Sequence, residues 1–136
     1  LAVWAGVEAG APVGLYSDRT DIDLDEALGV DPAEADVIHG WFALGDAALR
    51  TLDGGTPPVL WPEHFDIAAT VREVNYGGSP GDAAHPLPYL YIGPWSPPAP
   101  DGRFWNAPFG ALVPAHEVPT VEAALALFEQ GRALLT

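Results

Sequence analysis

From residue 31 onward the apolar positions follow two rhythms. Ile38, Trp41, Ala48, Leu49 and Leu52 recur at three- and four-residue spacing, which predicts an amphipathic helix over 31–52 with those side chains on its buried stripe. Asp31 suits the N-cap, Pro32 the first helical position, and Glu34 the reciprocal position of a capping box. Asp36, His39, Ala43, Asp46 and Arg50 fall on the opposite face, where Asp46 and Arg50 are spaced for an i,i+4 pair. Gly54-Gly55 ends the helix. Gly40 and Gly45 lie inside it, each costing about 1 kcal/mol against alanine, a cost that close packing on another element would offset. A second helix closes the chain, with Thr120 as its N-cap. Its apolar stripe is Val121, Ala124, Leu125, Phe128 and Leu135, and its wet face is Glu122, Ala126, Glu129 and Ala133.

Between the helices the rhythm shortens to two. Residues 59–71 read as a strand that Pro62 interrupts, at an edge or a bulge. Beyond Pro62, Phe65, Ile67, Ala69 and Val71 share one face and His64, Asp66, Ala68 and Thr70 the other. A turn near Arg72-Glu73 leads into a return strand through Val74 and Tyr76. Gly77-Gly78-Ser79-Pro80-Gly81-Asp82 reads as a turn-rich loop. Tyr89-Leu90-Tyr91-Ile92 is a further strand with both tyrosines on one face. Residues 93–103 are a proline-rich loop, and Phe104-Trp105 and Ala111-Leu112-Val113 are short strand candidates. Trp61, Trp95 and Trp105 could line an apolar pocket, but at least two of them are expected in the core. Two amphipathic helices and about four short antiparallel strands predict an α+β fold, a small antiparallel sheet with both helices on one face.

Before residue 31 the pattern is less informative. Residues 1–8 read as a helix end or a short strand, with helix preferred, and 9–30 as an acidic loop. Asp21, Asp23 and Asp25 echo the start of a calcium loop, but Glu26 stands where that loop needs glycine and Pro32 where it needs glutamate. A solvated acidic surface is the better reading. The opening run Leu1 to Val7 looks like an element already under way. The 136 residues are therefore expected to be a single domain, residues 1–136, forming the C-terminal part of a longer protein.

Charge narrows the partners. Five arginines, no lysine and 19 acids give a net charge of −14. A surface of that sign repels phosphate backbones and anionic lipid, so neither nucleic acid nor membrane is expected as a partner. The chain has no cysteine, which excludes disulfides and thiolate-bound zinc and agrees with a cytoplasmic location. No signal peptide or membrane span is visible.

The candidate chemistry lies within residues 60–110. His64 and Asp66 leave one face of a strand with Cα atoms about 6.6 Å apart. If Phe65 and Ile67 share the core with Leu90 and Ile92, then Tyr89 and Tyr91 gather with them on the other face. An imidazole shuttles protons near neutral pH and a carboxylate orients it, so His64, Asp66 and Asp82 are the candidate catalytic residues. Tyr76, Ser79, Tyr89, Tyr91, Trp105 and Asn106 are the candidate binding residues, while an ordinary half-exposed sheet face would carry the same residue types. No cofactor motif is evident. A divalent metal is the one candidate, with His64, Asp66, Glu63 and Asp82 as acceptable ligands and His85 near Asp82, although no helical His-x-x-x-His or Glu-x-x-His pair occurs. Ser79 with His64 and Asp82 could be written as a triad, yet Ser79 lacks a nucleophile-elbow context and reads better as a turn serine.

Four ordered blocks carry a resemblance: Leu60-Trp61-Pro62-Glu63-His64-Phe65-Asp66, Asn75-Tyr76-Gly77-Gly78-Ser79-Pro80-Gly81-Asp82, Pro88-Tyr89-Leu90-Tyr91 and Phe104-Trp105-Asn106. In that order they resemble a family of bacterial proteins of unknown activity from high-GC genomes, over about residues 31–136. The resemblance implies an extension on the N-terminal side and names no substrate. A related family tends to have His-His where this chain has Glu63-His64, which speaks against a metal model built on adjacent histidines. Two functions follow from the residues: a binding or structural module holding a small molecule or a protein segment around His64, or a hydrolase or lyase with His64 as general base, metal-assisted or not.

Overall fold

Hairpin turns decide the architecture. In the computed structural model, which describes residues 27, 29–62 and 64–136, five strands follow one another as an antiparallel meander. They are β1 (Val59–Trp61), β2 (Asp66–Val71), β3 (Val74–Ser79), β4 (Tyr89–Pro94) and β5 (Ala111–Pro114), flanked by helices α1 (Pro32–Leu52) and α2 (Val121–Leu134). The expected element at residues 1–8, the acidic aspartates Asp21, Asp23 and Asp25, and Glu63 lie outside the described residues. Pro32–Thr136 forms one compact unit. No helix among the described residues is long and apolar enough to cross a membrane.

The α+β expectation holds: both helices pack on one face of the sheet, α1 against β2 and β3 and α2 against β4. Ile67, Ala69, Val74, Tyr76, Leu90, Ile92 and Ala111 point toward them and meet Trp41, Leu49, Ala124 and Phe128 in one core. The helix stripes are those the spacing predicts, with Ala48, Leu49, Ala124 and Phe128 at most 1% exposed. Thr120 caps α2 by accepting the Ala123 amide at 3.2 Å, and Asp46 pairs with Arg50 at 2.8 Å. The packing expected at the helical glycines divides. A Cβ at Gly45 would stand 2.9 Å from Ile67 Cγ2, so α1 needs glycine there to seat on β2, whereas at Gly40 a Cβ would meet nothing within 4 Å.

The segment 59–71 is two strands, not one. A prolyl nitrogen cannot donate to a ladder, so pairing stops at Trp61, and the chain reverses through 62–65 to set Trp61 opposite Asp66. Phe65 takes a left-handed φ of 51° and lies in the turn, 51% exposed, with its ring edge-on to Phe42 at 5.4 Å. The phase beyond it is as expected: Ile67 and Ala69 face the helices, Asp66, Ala68 and Thr70 the other side. The β2–β3 turn falls at Arg72 and Glu73, both with positive φ, 49° and 64°, the geometry of a two-residue type I′ hairpin. The expected loop at 77–82 is instead strand as far as Ser79. Phe104-Trp105 forms no strand.

Candidate functional site

The sheet face turned away from the helices carries Asp66 from β2, Gly77 and Ser79 from β3, and Tyr89 and Tyr91 from β4. Asp66, Ser79, Tyr89 and Tyr91 border a cleft of about 670 Å³, within the range of small-molecule sites. His64, from the turn before β2, lines the same cleft, as does Asp82 from the loop after β3. The alternation of β2 and β4 thus brings Asp66, Tyr89 and Tyr91 together, while the turn before β2, the end of β3 and the loop after it add His64, Ser79 and Asp82.

Register makes the central contact. Gly77 pairs with Ala68 on one side and with Tyr91 on the other, so β3 separates the strands of Asp66 and Tyr91. The Tyr91 ring crosses β3 over Gly77 and donates its hydroxyl to Asp66 Oδ2. Any Cβ on Gly77 would fall inside that ring. Burial, followed by the Asp66 carboxylate, pushes the Tyr91 phenol far above the usual tyrosine value, so it remains a proton donor in the bond. Asp66 itself is only 6% exposed. Its Oδ1 has no hydrogen-bond partner among the described residues, although most buried polar atoms are satisfied.

A second phenol–carboxylate pair lies beside the first. Tyr89 donates to Asp82 Oδ2 at 2.7 Å, while Asp82 Oδ1 accepts the amides of Ala84 and His85, each at 2.7 Å. The Tyr89 bond, then the His85 amide, hold the Asp82 carboxyl below its ordinary value. Burial raises the Tyr89 phenol, and Asp82 adds to the rise. The Tyr89 and Tyr91 rings lie 6.4 Å apart. Ser79 Oγ accepts the Gly81 amide at 3.1 Å, as befits a turn serine, and the Ser79 carbonyl accepts Trp41 Nε1 at 2.8 Å, which ties α1 to this end of β3.

His64 shares the cleft but is not oriented by a carboxylate: no hydrogen bond or ion pair joins it to Asp66 or Asp82 among the described residues. The carboxylates are instead committed to phenols, and Asp82 lies nearest the His85 ring, at 3.9 Å. Among the described residues no three His, Asp or Glu side chains are grouped so as to hold a metal ion.

Three of the expected binding residues stand elsewhere. Tyr76 is 1% exposed and packs edge-on to Phe128 at 5.6 Å, because it shares the pleat phase of Val74 and so faces the helices. Trp105 is 7% exposed and belongs to the same core. Asn106 uses its side chain to bridge the Leu112 amide and carbonyl, both at 2.8 Å. That clamp fixes a tight reversal in which Ala107 and Gly110 exchange backbone bonds at 3.0 Å and sets Phe109 beside Tyr91, ring centroids 6.5 Å apart. The expectation that two of Trp61, Trp95 and Trp105 are core also fails. Trp61 and Trp95 are 46% and 65% exposed, Trp61 on the edge strand and Trp95 just after β4, where the cleft wall forms.

Trp95 takes the pocket-lining alternative instead of the core position expected of it, and sequence reasoning missed Phe109 as a cleft residue. A signal existed for Trp95: it directly follows a strand whose odd positions are polar-aromatic, in a proline-rich segment that cannot bury it. No family model, curated protein or solved structure matches the chain.

Proposed function

We propose that this chain is a binding module for a small molecule, and that the cleft over β2, β3 and β4 is its site. One observation carries the reading. A carboxylate almost fully removed from solvent keeps one oxygen without a partner among the described residues, and its residue lines a cleft flanked by the exposed rings of Trp95 and Phe109. Leaving a buried acceptor unsatisfied costs about 1–3 kcal/mol, a cost that a bound donor removes. Exposed aromatic rings beside convergent polar groups are what ligand sites use for affinity and orientation. Binding is preferred to acid–base catalysis because both carboxylates hydrogen-bond to phenols and neither orients His64. The net charge of −14 argues against nucleic acid as the partner.

Protein-observed NMR against a library of neutral, cationic and anionic fragments tests the proposal. Binders are expected to shift the Trp95 indole and the Tyr91 ring resonances, and Trp95→Ala is expected to abolish the shift at Tyr91 while leaving the melting temperature within about 2 °C, since an exposed side chain contributes little to folding. A library in which no fragment reaches those resonances would refute it.

A further inference from the structure

We infer that the ligand of this cleft is an organic cation bearing N–H donors, a primary ammonium or a guanidinium on an apolar body, with its head at the Asp66 carboxylate and its body against Trp95 and Phe109. This deepens the binding reading above and rests on it.

The unpaired carboxylate oxygen sets the donor requirement. Asp66 Oδ2 is taken by the Tyr91 hydroxyl, and Oδ1 is a buried acceptor without a partner among the described residues, closed to solvent, so that a ligand donor reaches it only as neighbouring side chains give way. A ligand carbonyl or carboxylate would set acceptor against acceptor, so the complementary group must donate. Charge points the same way. None of the described arginines pairs with Asp66; Arg50 pairs with Asp46 and Arg132 with Glu129. A carboxylate removed from water calls for an opposite charge or for close hydrogen bonds. Asp82, its side chain 46% exposed, lines the same cleft and adds a second negative charge, which disfavours an anionic ligand. The walls suit a cation as well: Trp95 and Phe109 are 65% and 40% exposed, and the face of an indole attracts a cation within about 6 Å. A quaternary ammonium could use the rings but could not donate to Oδ1, so the two contributions are separable.

The test uses four probes that share a phenylethyl or similar body: 2-phenylethylammonium, its N,N,N-trimethyl analogue, 2-phenylethanol and 3-phenylpropionate. Each is titrated into the isotopically labelled wild-type protein at low salt, with the Trp95 indole resonance as reporter. The primary ammonium is expected to bind about 10- to 100-fold tighter than the alcohol, the margin of a hydrogen bond to a charged group. The trimethyl analogue is expected between them and the propionate last. Asp66→Asn, which keeps an acceptor for Tyr91 and offers an amide in place of Oδ1, is expected to weaken the ammonium at least about tenfold and leave the alcohol within about threefold. If that variant does not fold, the wild-type ranking decides alone. Equal binding of ammonium and alcohol would overturn the cation assignment and leave the cleft reading intact, as would silence of all four probes while other fragments bind. Silence of every probe and every library fragment would sink both.

Discussion

Gly77→Ala is the sharpest perturbation this fold offers. Gly77 sits mid-strand between Ala68 and Tyr91 and its φ is not positive, so its backbone accepts alanine. Space is what forbids it. The added Cβ would meet Cε1 of Tyr91 at 2.7 Å, and the Cζ and Oη of the same ring as well. The ring must swing off β3, and in doing so it withdraws its hydroxyl from Asp66. Losing a hydrogen bond to a charged buried group costs about 1.5–3 kcal/mol, and forcing a methyl into packed space about 1–3 kcal/mol. Alanine returns about 0.5–1 kcal/mol over glycine in a strand. The net is about 1.5–5.5 kcal/mol of destabilisation, a fall of about 6–22 °C in melting temperature at the sensitivity of a hundred-residue unit. Urea unfolding followed by far-ultraviolet circular dichroism reads it directly. The decisive control is Tyr91→Ala, which empties the space. In that background Gly77→Ala is expected to cost less than about 0.5 kcal/mol, giving a coupling of about 1 kcal/mol or more between the two sites. A wild-type cost below about 0.5 kcal/mol, or the same cost in both backgrounds, would refute the account of how Tyr91 reaches Asp66.

Three further expectations follow from the same physics. Gly40→Ala fills open space on α1 and is expected to stabilise by about 1 kcal/mol, seen as a higher urea midpoint with unchanged slope, while Gly45→Ala is expected to destabilise because Ile67 Cγ2 stands 2.9 Å from the new methyl. Replacing Arg72 and Glu73 by Asn and Gly relieves two side-chain residues held at positive φ and is expected to gain about 1 kcal/mol; an unchanged or lower midpoint would contradict the turn assignment. The Asp82 carboxyl is held below its ordinary value by Tyr89 and by backbone amides, so its contribution is present above the unfolded value of about 3.9 and is lost as pH falls through the lower folded value. The gap in melting temperature between wild type and Asp82→Asn is therefore expected to be widest above about pH 4 and to close in stronger acid.

Much of the fold was legible because its elements announce themselves locally. The stripes of α1 and α2, the Thr120 cap and the phase of Ile67 and Ala69 against Asp66 all follow from spacing alone, and the same parity placed Tyr91 on the Asp66 face. The site residues that went astray did so where parity was not applied or where no period exists. Tyr76 shares its face with Val74, and applying to β3 the rule used for β2 would have sent it to the core. Trp105 and Asn106 lie outside any strand, so nothing periodic could assign them. Their roles come from long-range contacts: Trp105 with the helix-side core and Asn106 with the Leu112 backbone. Gly77 is the instructive case. Within a Gly-Gly-Ser-Pro-Gly run it reads as loop, because glycine is depleted from strands. Here the missing side chain belongs to the neighbouring strand's geometry: a phenol on β4 needs an unobstructed path over β3 to a carboxylate on β2. A residue chosen for what it lets a non-adjacent side chain reach leaves no trace in its own periodicity. It becomes readable only once the register Ala68, Gly77, Tyr91 is known, and that register is what converts three unremarkable sequence positions into one buried, half-satisfied acid.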